Sequence, residues 1–328
     1  MATALAAVGL VLLVSPCDAS ALSARDFAIY SAQDVNLESY SVVLGDIYAG
    51  RDINASFGYG IQRSASNAGD FLARRNVSVE SLSDIDGNVS ANGSITFEHA
   101  VDVTGNVTYG TTYQQIGSPG TISGVVSQQP NTVPAIASPQ VTSFTPGSAN
   151  LTSNNLDLSP GSYGNIVVQG SSASLRLHAG TYYFSSLMMS GNRTLYLDLT
   201  SGQSIRVYSE GDLNFGDHVF VNGLDVSSGL DASTRSLAAN VLFESHGNVS
   251  IGRLFDEFFG TVFAPNGTVV GDTLYHYGSI IAGGPVTGAF YIEHIPSALL
   301  AVPEPSGLAG GVTLLGLAWA RARRRRWA

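Results

Sequence analysis

Gly87-Asn88-Val89 and Gly105-Asn106-Val107, with Ser94-Ile95-Thr96-Phe97 and Val101-Asp102-Val103 between them, decide the fold. The same mark, Gly then Asp or Asn then an apolar residue, stands earlier at Gly45-Asp46-Ile47 and Gly69-Asp70-Phe71, so the spacings run 24, 18 and 18 residues. A period near 20 is the signature of a solenoid, in which no single rung could bury its apolar face alone. Gly reaches positive φ and Asn or Asp tolerates it, so the pair turns the chain between strands while the next Val, Ile or Phe points inward. Three strands of three to five residues per rung fit between marks. The expectation is an all-β, right-handed parallel β-helix with short Gly-Asp/Asn turns. The competing β-sandwich would show turn signals every 8–12 residues, and no Asn-Gly hairpin pattern dominates here.

Working outward, Ala28-Ile29-Tyr30 and Ser41-Val42-Val43-Leu44 read as strands by β-branched and aromatic enrichment. Beyond 155, alternation resumes at Asn165-Ile166-Val167-Val168, Ser174-Leu175-Arg176-Leu177-His178, Thr194-Leu195-Tyr196-Leu197 and Ser204-Ile205-Arg206-Val207-Tyr208. The marks return at Gly211-Asp212-Leu213 and Gly247-Asn248-Val249. Residues 116–155, rich in Gly, Ser, Thr, Pro and Gln, read as a linker or an excursion. The solenoid is expected to occupy 22–298 as one elongated domain.

All 15 positive residues are arginine, against 25 acids, for a net charge of −10. Without the two ends, 23 acids face 10 arginines, a net −13. Such a surface disfavours nucleic acid and suits a hydrated polysaccharide matrix. Residues 1–21 read as a secretory signal: Ala2 to Val14 is apolar, Ala19-Ser20-Ala21 is a small-x-small cleavage pattern, and no basic residue precedes the run. A lipoprotein signal ending at Cys17 is the rival, with Pro16 an ill-suited neighbour. Cys17 is the only cysteine, so the exported chain would carry neither disulfides nor a thiol nucleophile.

Residues 302–328 have three parts: Val302-Pro303-Glu304-Pro305, an uncharged run from Gly307 to Ala320 that includes Leu314, Leu315, Leu317 and Trp319, and then Arg321, Arg323, Arg324, Arg325 and Arg326. As a helix the 14-residue run covers about 21 Å against roughly 30 Å of hydrocarbon, and the arginines oppose its translocation. One C-terminal transmembrane-type helix, used as a transient stop, is expected. The order of parts resembles the PEP-CTERM sorting signal of Gram-negative bacteria. That resemblance implies export through the Sec translocon, an inner-membrane intermediate, cleavage near Pro303-Glu304-Pro305 by an exosortase, and a final place in the cell envelope or on the cell surface. Gly45 to Ile53, together with Gly260-Thr261-Val262-Phe263-Ala264-Pro265-Asn266 and Gly278-Ser279-Ile280-Ile281-Ala282, is similar to the choice-of-anchor A domain over residues 26 to 296. It departs from that family in having no clear helical stretch within 116–155.

No catalytic constellation is legible. Asp46, Asp52, Asp70, Asp84, Asp86 and Asp102 mostly sit in turn marks, and turn geometry accounts for them. Asp84 and Asp86 share one strand face and are candidate ligands for a structural Ca²⁺, though two carboxylates are too few for a complete site. Asp256 and Glu257 lie among Phe255, Phe258 and Phe259, a setting able to raise a pKa. The six histidines show no metal-site spacing, and there is no nucleophile elbow or phosphate loop. Asn-x-Ser/Thr triplets at Asn54, Asn76, Asn88, Asn92, Asn106, Asn150, Asn192, Asn248 and Asn266 are read as Asn-rich turns of the repeat. Tyr109, Tyr113, Tyr182, Tyr275 and Tyr277 either stack on sugar rings or fill the ends of rungs. The resulting expectation is a non-enzymatic surface or matrix adhesin whose partners are exopolysaccharide or other surface proteins. The alternatives are a polysaccharide-active β-helix enzyme and an ice-binding adhesin. For the latter, Leu-x-x-Gly-x-Tyr pieces within 158–184 are similar to such adhesins, but rows of Thr-x-Thr are absent.

Overall fold

The computed structural model describes residues 22–300 except 57–64, Leu82, Ser171, Ser190, Gly191 and Asp217, and it omits the side chains of 65–68, 253–256 and 272–274. The chain forms three-stranded rungs whose strands pair in parallel with those of the next rung, so the three strand positions build three lateral faces. Ile29–Ser31, Val35–Leu37 and Val42–Leu44 open the first, second and third face. Four more turns follow, through Ile47–Ala49, Phe71–Ala73, Val89–Ala91 and Val107–Tyr109 on the first face, ending at Val126–Gln128. Among the described residues, the antiparallel pair His218–Val221 with Leu224–Asp225 departs from parallel pairing.

The rungs do not stack in chain order. Ile29–Ser31 is hydrogen-bonded on one side to Ile47–Ala49 and on the other to 280–282. Val35–Leu37 lies likewise between Ile53–Ala55 and 286–288, and Val42–Leu44 between Ala65–Ala68 and 291–293. The chain therefore starts at the middle of the solenoid and winds to one tip at Gln128. It then restarts at the other tip with Leu151–Ser153, and winds back until its last rung closes on its first.

Residues 129–150 make the journey between tips as an extended strap along the outside of the first face. Asn92 exchanges two hydrogen bonds with the Val133 backbone, both 2.8 Å. The Tyr48 hydroxyl donates to the Pro134 carbonyl at 3.1 Å, and that of Tyr30 to the Ile136 carbonyl at 3.0 Å. Thr142 is held by Glu244, and Phe144 packs on Tyr183, Tyr208 and His246. The excursion is shorter than the 116–155 expected, because Tyr113–Ile116, Val126–Gln128 and Leu151–Ser153 are rung strands.

Two apolar layers result. Inside, columns such as Ile29, Ile47, Phe71, Val89 and Val107 are shielded from solvent, each side chain contributing roughly 1.5–3 kcal/mol. Outside, Tyr30, Tyr48, Leu242, Phe263 and Ile281 form a second layer closed by Val133 and Ile136 of the strap and by Ala24, Phe27 and Leu300. First-face strands such as Val241–Ser245 are buried at every residue, which is why they lack polar alternation.

The corners explain the Gly-Asx marks. Asp46 accepts the backbone N–H of Asp70 at 2.8 Å, Asp70 that of Asn88 at 2.7 Å, Asn88 that of Asn106 at 2.9 Å, and Asn106 that of Val125 at 2.9 Å. A second corner repeats the device from Asp34 through Asp52 and Asn76 to Ser94. Gly211-Asp212 and Gly247-Asn248 belong to that second corner, where Asp212 accepts from Asn248 and Asn248 from Thr268. One sequence mark thus serves two different edges.

Candidate functional site

With the first face covered, two faces remain. The third is interrupted between His218–Val221 and 256–259 by residues 222–240, which carry the short helix Ala232–Ser236. Arg235 of that helix docks on the face through two hydrogen bonds to Glu293, 2.9 and 2.6 Å.

Among the described residues the second face runs from tip to tip without interruption. Its outward residues form one column in register: Thr152, Val167, Met188, Asn214, Ser250, Val270, Thr287, Asn36, Asn54, Ser78, Thr96 and Gln114. With strands roughly 4.8 Å apart, the column extends about 50 Å. None of its members carries a charge, and all are at least partly exposed, Met188 at 50% and Val270 at 51%. Asn54 donates to Asn36 at 2.9 Å and Asn36 to Thr287 at 3.3 Å, which fixes these amides along the face. Beside it lies the corner column whose side-chain oxygens are held by the next rung's amides. The face is therefore a continuous array of amide, hydroxyl and methyl groups whose central amides are held in place.

The third face carries a different cluster near the second tip. Arg176 meets Asp198 at 2.7 Å and lies over the Tyr196 ring at 4.9 Å. His178 contacts Asp157 at 2.7 Å and Asp198 at 3.4 Å, and Phe220 stacks beyond Tyr196 at 5.3 Å. These groups are largely satisfied by each other, and exposed pairs of this kind contribute little to stability.

The other residues singled out from the sequence are scattered. Asp84 faces outward on the third face beside Asp102, and Asp86 sits at a corner accepting from the Thr104 hydroxyl at 2.8 Å. Among the described residues no group of three or more His, Cys, Asp or Glu is placed to hold a metal ion. Glu257 is buried where the third face breaks, accepting the Val219 N–H at 3.3 Å, and burial pushes its carboxyl above the ordinary range. Asp256 has no described side chain. Tyr182 is not a surface aromatic: it is buried, with its hydroxyl on the Leu158 and His178 carbonyls. Tyr277 is also buried, while Tyr109 and Tyr113 pack together at the first tip. Val302, Pro303, Glu304, Pro305, Gly307, Leu314, Leu315, Leu317, Trp319, Arg321, Arg323, Arg324, Arg325 and Arg326 lie outside the described residues, as does the 1–21 segment. Among the described residues no helix is long and apolar enough to cross a membrane.

Sequence reading missed the second-face column, although its signal is present. At each rung an Asx, Ser, Thr or Pro precedes an apolar residue and then the outward residue, as in Asn76-Val77-Ser78, Ser94-Ile95-Thr96 and Asn248-Val249-Ser250. The turn marks drew the eye to the corner and not to the residue two places beyond.

Fold and flank together define a class: a parallel β-solenoid with one extended, uncharged column of outward residues on its second face. The chain belongs to the family described as "Putative Ice-binding-like adhesive domain", whose model matches residues 21–289. No curated protein matches it. Among solved structures, the crystal structure of an ice binding protein from an Antarctic bacterium of the Flavobacteriaceae is similar, with 12% identity and a TM-score of 0.29 over 87% of this chain and 98% of that one. So loose a likeness carries no argument about fold or ligand.

Proposed function

We propose that this chain is an exported, non-enzymatic surface adhesin that grips a neutral, hydroxyl-rich polymer along its second face. The uninterrupted uncharged column from Thr152 to Gln114 carries this reading, together with membership of an adhesive-domain family. A net charge of −10 repels polyanions, so a neutral exopolysaccharide suits the face better than an acidic one. The amides and hydroxyls of Asn36, Asn54, Ser78, Thr96 and Gln114 supply hydrogen bonds, and Val167, Met188 and Val270 supply apolar contact. The Asn36 and Asn54 amides are already fixed in the free protein, which lowers the entropic cost of binding. Ice is the rival ligand; a column of mixed Thr, Val, Met, Asn and Ser lacks the uniform rows such a lattice needs.

The 302–328 segment serves as the address, in keeping with a PEP-CTERM signal, and 22–298 is the cargo, a right-handed helix of the choice-of-anchor A kind. In this reading the tail is cut near Pro303-Glu304-Pro305 and the cargo stays at the Gram-negative cell surface. The test is co-sedimentation of the chain with insoluble neutral and acidic polysaccharides and, in parallel, partition into growing ice. Binding to a neutral polymer that Asn54→Arg and Val270→Arg each weaken at least tenfold supports the face. Binding by both variants equal to that of the unmodified chain, or partition into ice alone, overturns it.

A further inference from the structure

The two tips of the solenoid are in phase with each other. The first tip ends on the first face with Val126–Gln128, preceded by the Ile122 bridge on the third face and Tyr113–Ile116 on the second. The second tip begins one face further round, with Leu151–Ser153 on the second face, followed by Asn155–Leu158 on the third and Gly161–Ser162 on the first. Strand direction and sense of winding are the same at both. If the second tip of one copy is set on the first tip of another, the helix continues on the second and third faces with no strand reversed, while on the first face Gly147 at the end of the strap already lies over Ser162.

Both tips are also unfinished. Among the described residues Tyr113–Ile116, Val126–Gln128, Leu151–Ser153 and Asn155–Leu158 each pair with a strand on one side only. The inner apolar columns surface there. Val107 is fully buried, yet Val126, the next member of its column, is 40% exposed, beside Val125 at 65% and Ile116 at 40%. Leu151 and Leu156 are partly exposed at the other tip, although the residues they pair with, Ile166 and Leu175, are fully buried. Repeat proteins in general need polar terminal caps to stay solitary, and unpaired strand edges are templates for further pairing.

We propose that copies of this chain stack head to tail, Tyr113–Ile116 of one pairing in parallel with Leu151–Ser153 of the next, to form a continuous β-helical fibre. The interface is heterologous and does not close, so growth is open-ended. Stacking also extends the second-face column from copy to copy, Gln114 of one lying next to Thr152 of the other. It needs no ligand on that face, so its failure would leave the adhesive reading intact.

Cross-linking tests it directly. In the full chain with Cys17→Ser, the pair Gln114→Cys and Thr152→Cys cannot bond within one molecule, because about 50 Å separates the sites and a disulfide needs Cα atoms within about 7 Å. Under mild oxidation the double variant should give a ladder of dimers, trimers and larger species on a non-reducing gel, whereas a mixture of the two single variants should stop at dimers. Sedimentation velocity of the unmodified chain should show species growing with concentration. Val126→Lys, with an unchanged circular dichroism spectrum, should raise the concentration needed at least tenfold. A purely monomeric double variant, or an equal ladder from the control pair Gln114→Cys with Asn214→Cys, overturns the proposal.

Discussion

Glu244 holds Thr142 by two atoms at once: one carboxylate oxygen accepts the Thr142 N–H at 2.6 Å and the other its hydroxyl at 2.8 Å. The carboxylate is almost wholly buried and also meets His246 at 3.3 Å. It is the polar clamp of the strap, set between the apolar contacts of Val133 and Ile136 on one side and Phe144 on the other. Glu244→Ala leaves the partly buried Thr142 N–H and hydroxyl without this acceptor and should cost about 1–2 kcal/mol. A lowered urea midpoint, with protease cleavage moving into 129–150, is the expected result. Glu244→Gln, which keeps one acceptor, should lose less.

The corner ladder predicts a contrast between two substitutions at one site. Asp70 accepts both the backbone and the side-chain N–H of Asn88, at 2.7 and 3.0 Å. Asp70→Asn retains an acceptor and should be near neutral in thermal melts. Asp70→Ala should cost about 1 kcal/mol.

His276 makes stability depend on pH. Its ring is buried against Phe258, Nε2 donates to the Gly260 carbonyl at 2.9 Å, and among the described residues Nδ1 has no partner. Burial pulls its pKa from 6.5 down to about 4. Below pH 6.5 the unfolded chain takes up a proton that the folded imidazole refuses, so stability falls as pH drops from 6.5 to about 4, by up to about 3 kcal/mol. Urea midpoints measured between pH 7 and pH 4.5 should show the decline, and His276→Gln should flatten it.

Gly45 stands at the seam between the first and last rungs. Its φ is +145°, and a Cβ there would lie 2.7 Å from the Cβ of His294 and 3.0 Å from that of Ala28. Gly45→Ala should cost about 1–3 kcal/mol from backbone strain, with crowding in addition. Loss of the seam is readable as faster amide exchange at Ile29 to Ser31.

The repeat itself was legible because its cause is local. Gly-Asx corners and inward Val, Ile and Phe recur with the rung, and the structure puts Asp70, Asn88 and Asn106 in one hydrogen-bonded file. The order of the rungs was not legible, because nothing near Ile29 says that its neighbour is Ile280. The strap leaves a trace in the sequence of the strands it covers. Ile47-Tyr48-Ala49, Val262-Phe263-Ala264 and Ile280-Ile281-Ala282 are apolar at consecutive positions, which marks strands buried on both sides. Something had to cover Tyr48, Phe263 and Ile281, and the Pro- and Ser-rich stretch that does so reads only as a linker or an excursion because it contributes few large side chains. The second-face column was hidden for the opposite reason: Asn54, Ser78 and Thr96 are ordinary exposed residues until pairing lines them up.

The meeting of the first and last rungs also shapes how this chain must fold. Within each arm strands pair over short separations, 18 residues for Val89 with Val107 and at most 36 for Ile205 with Val241, so an arm can zip by closing short loops. Ile29 pairs with Ile280 across nearly the whole domain, and that contact closes a loop that contains both arms and the strap. Sealing the waist is then the slow, late step of folding, since long loops must be closed before their contacts repay the lost entropy.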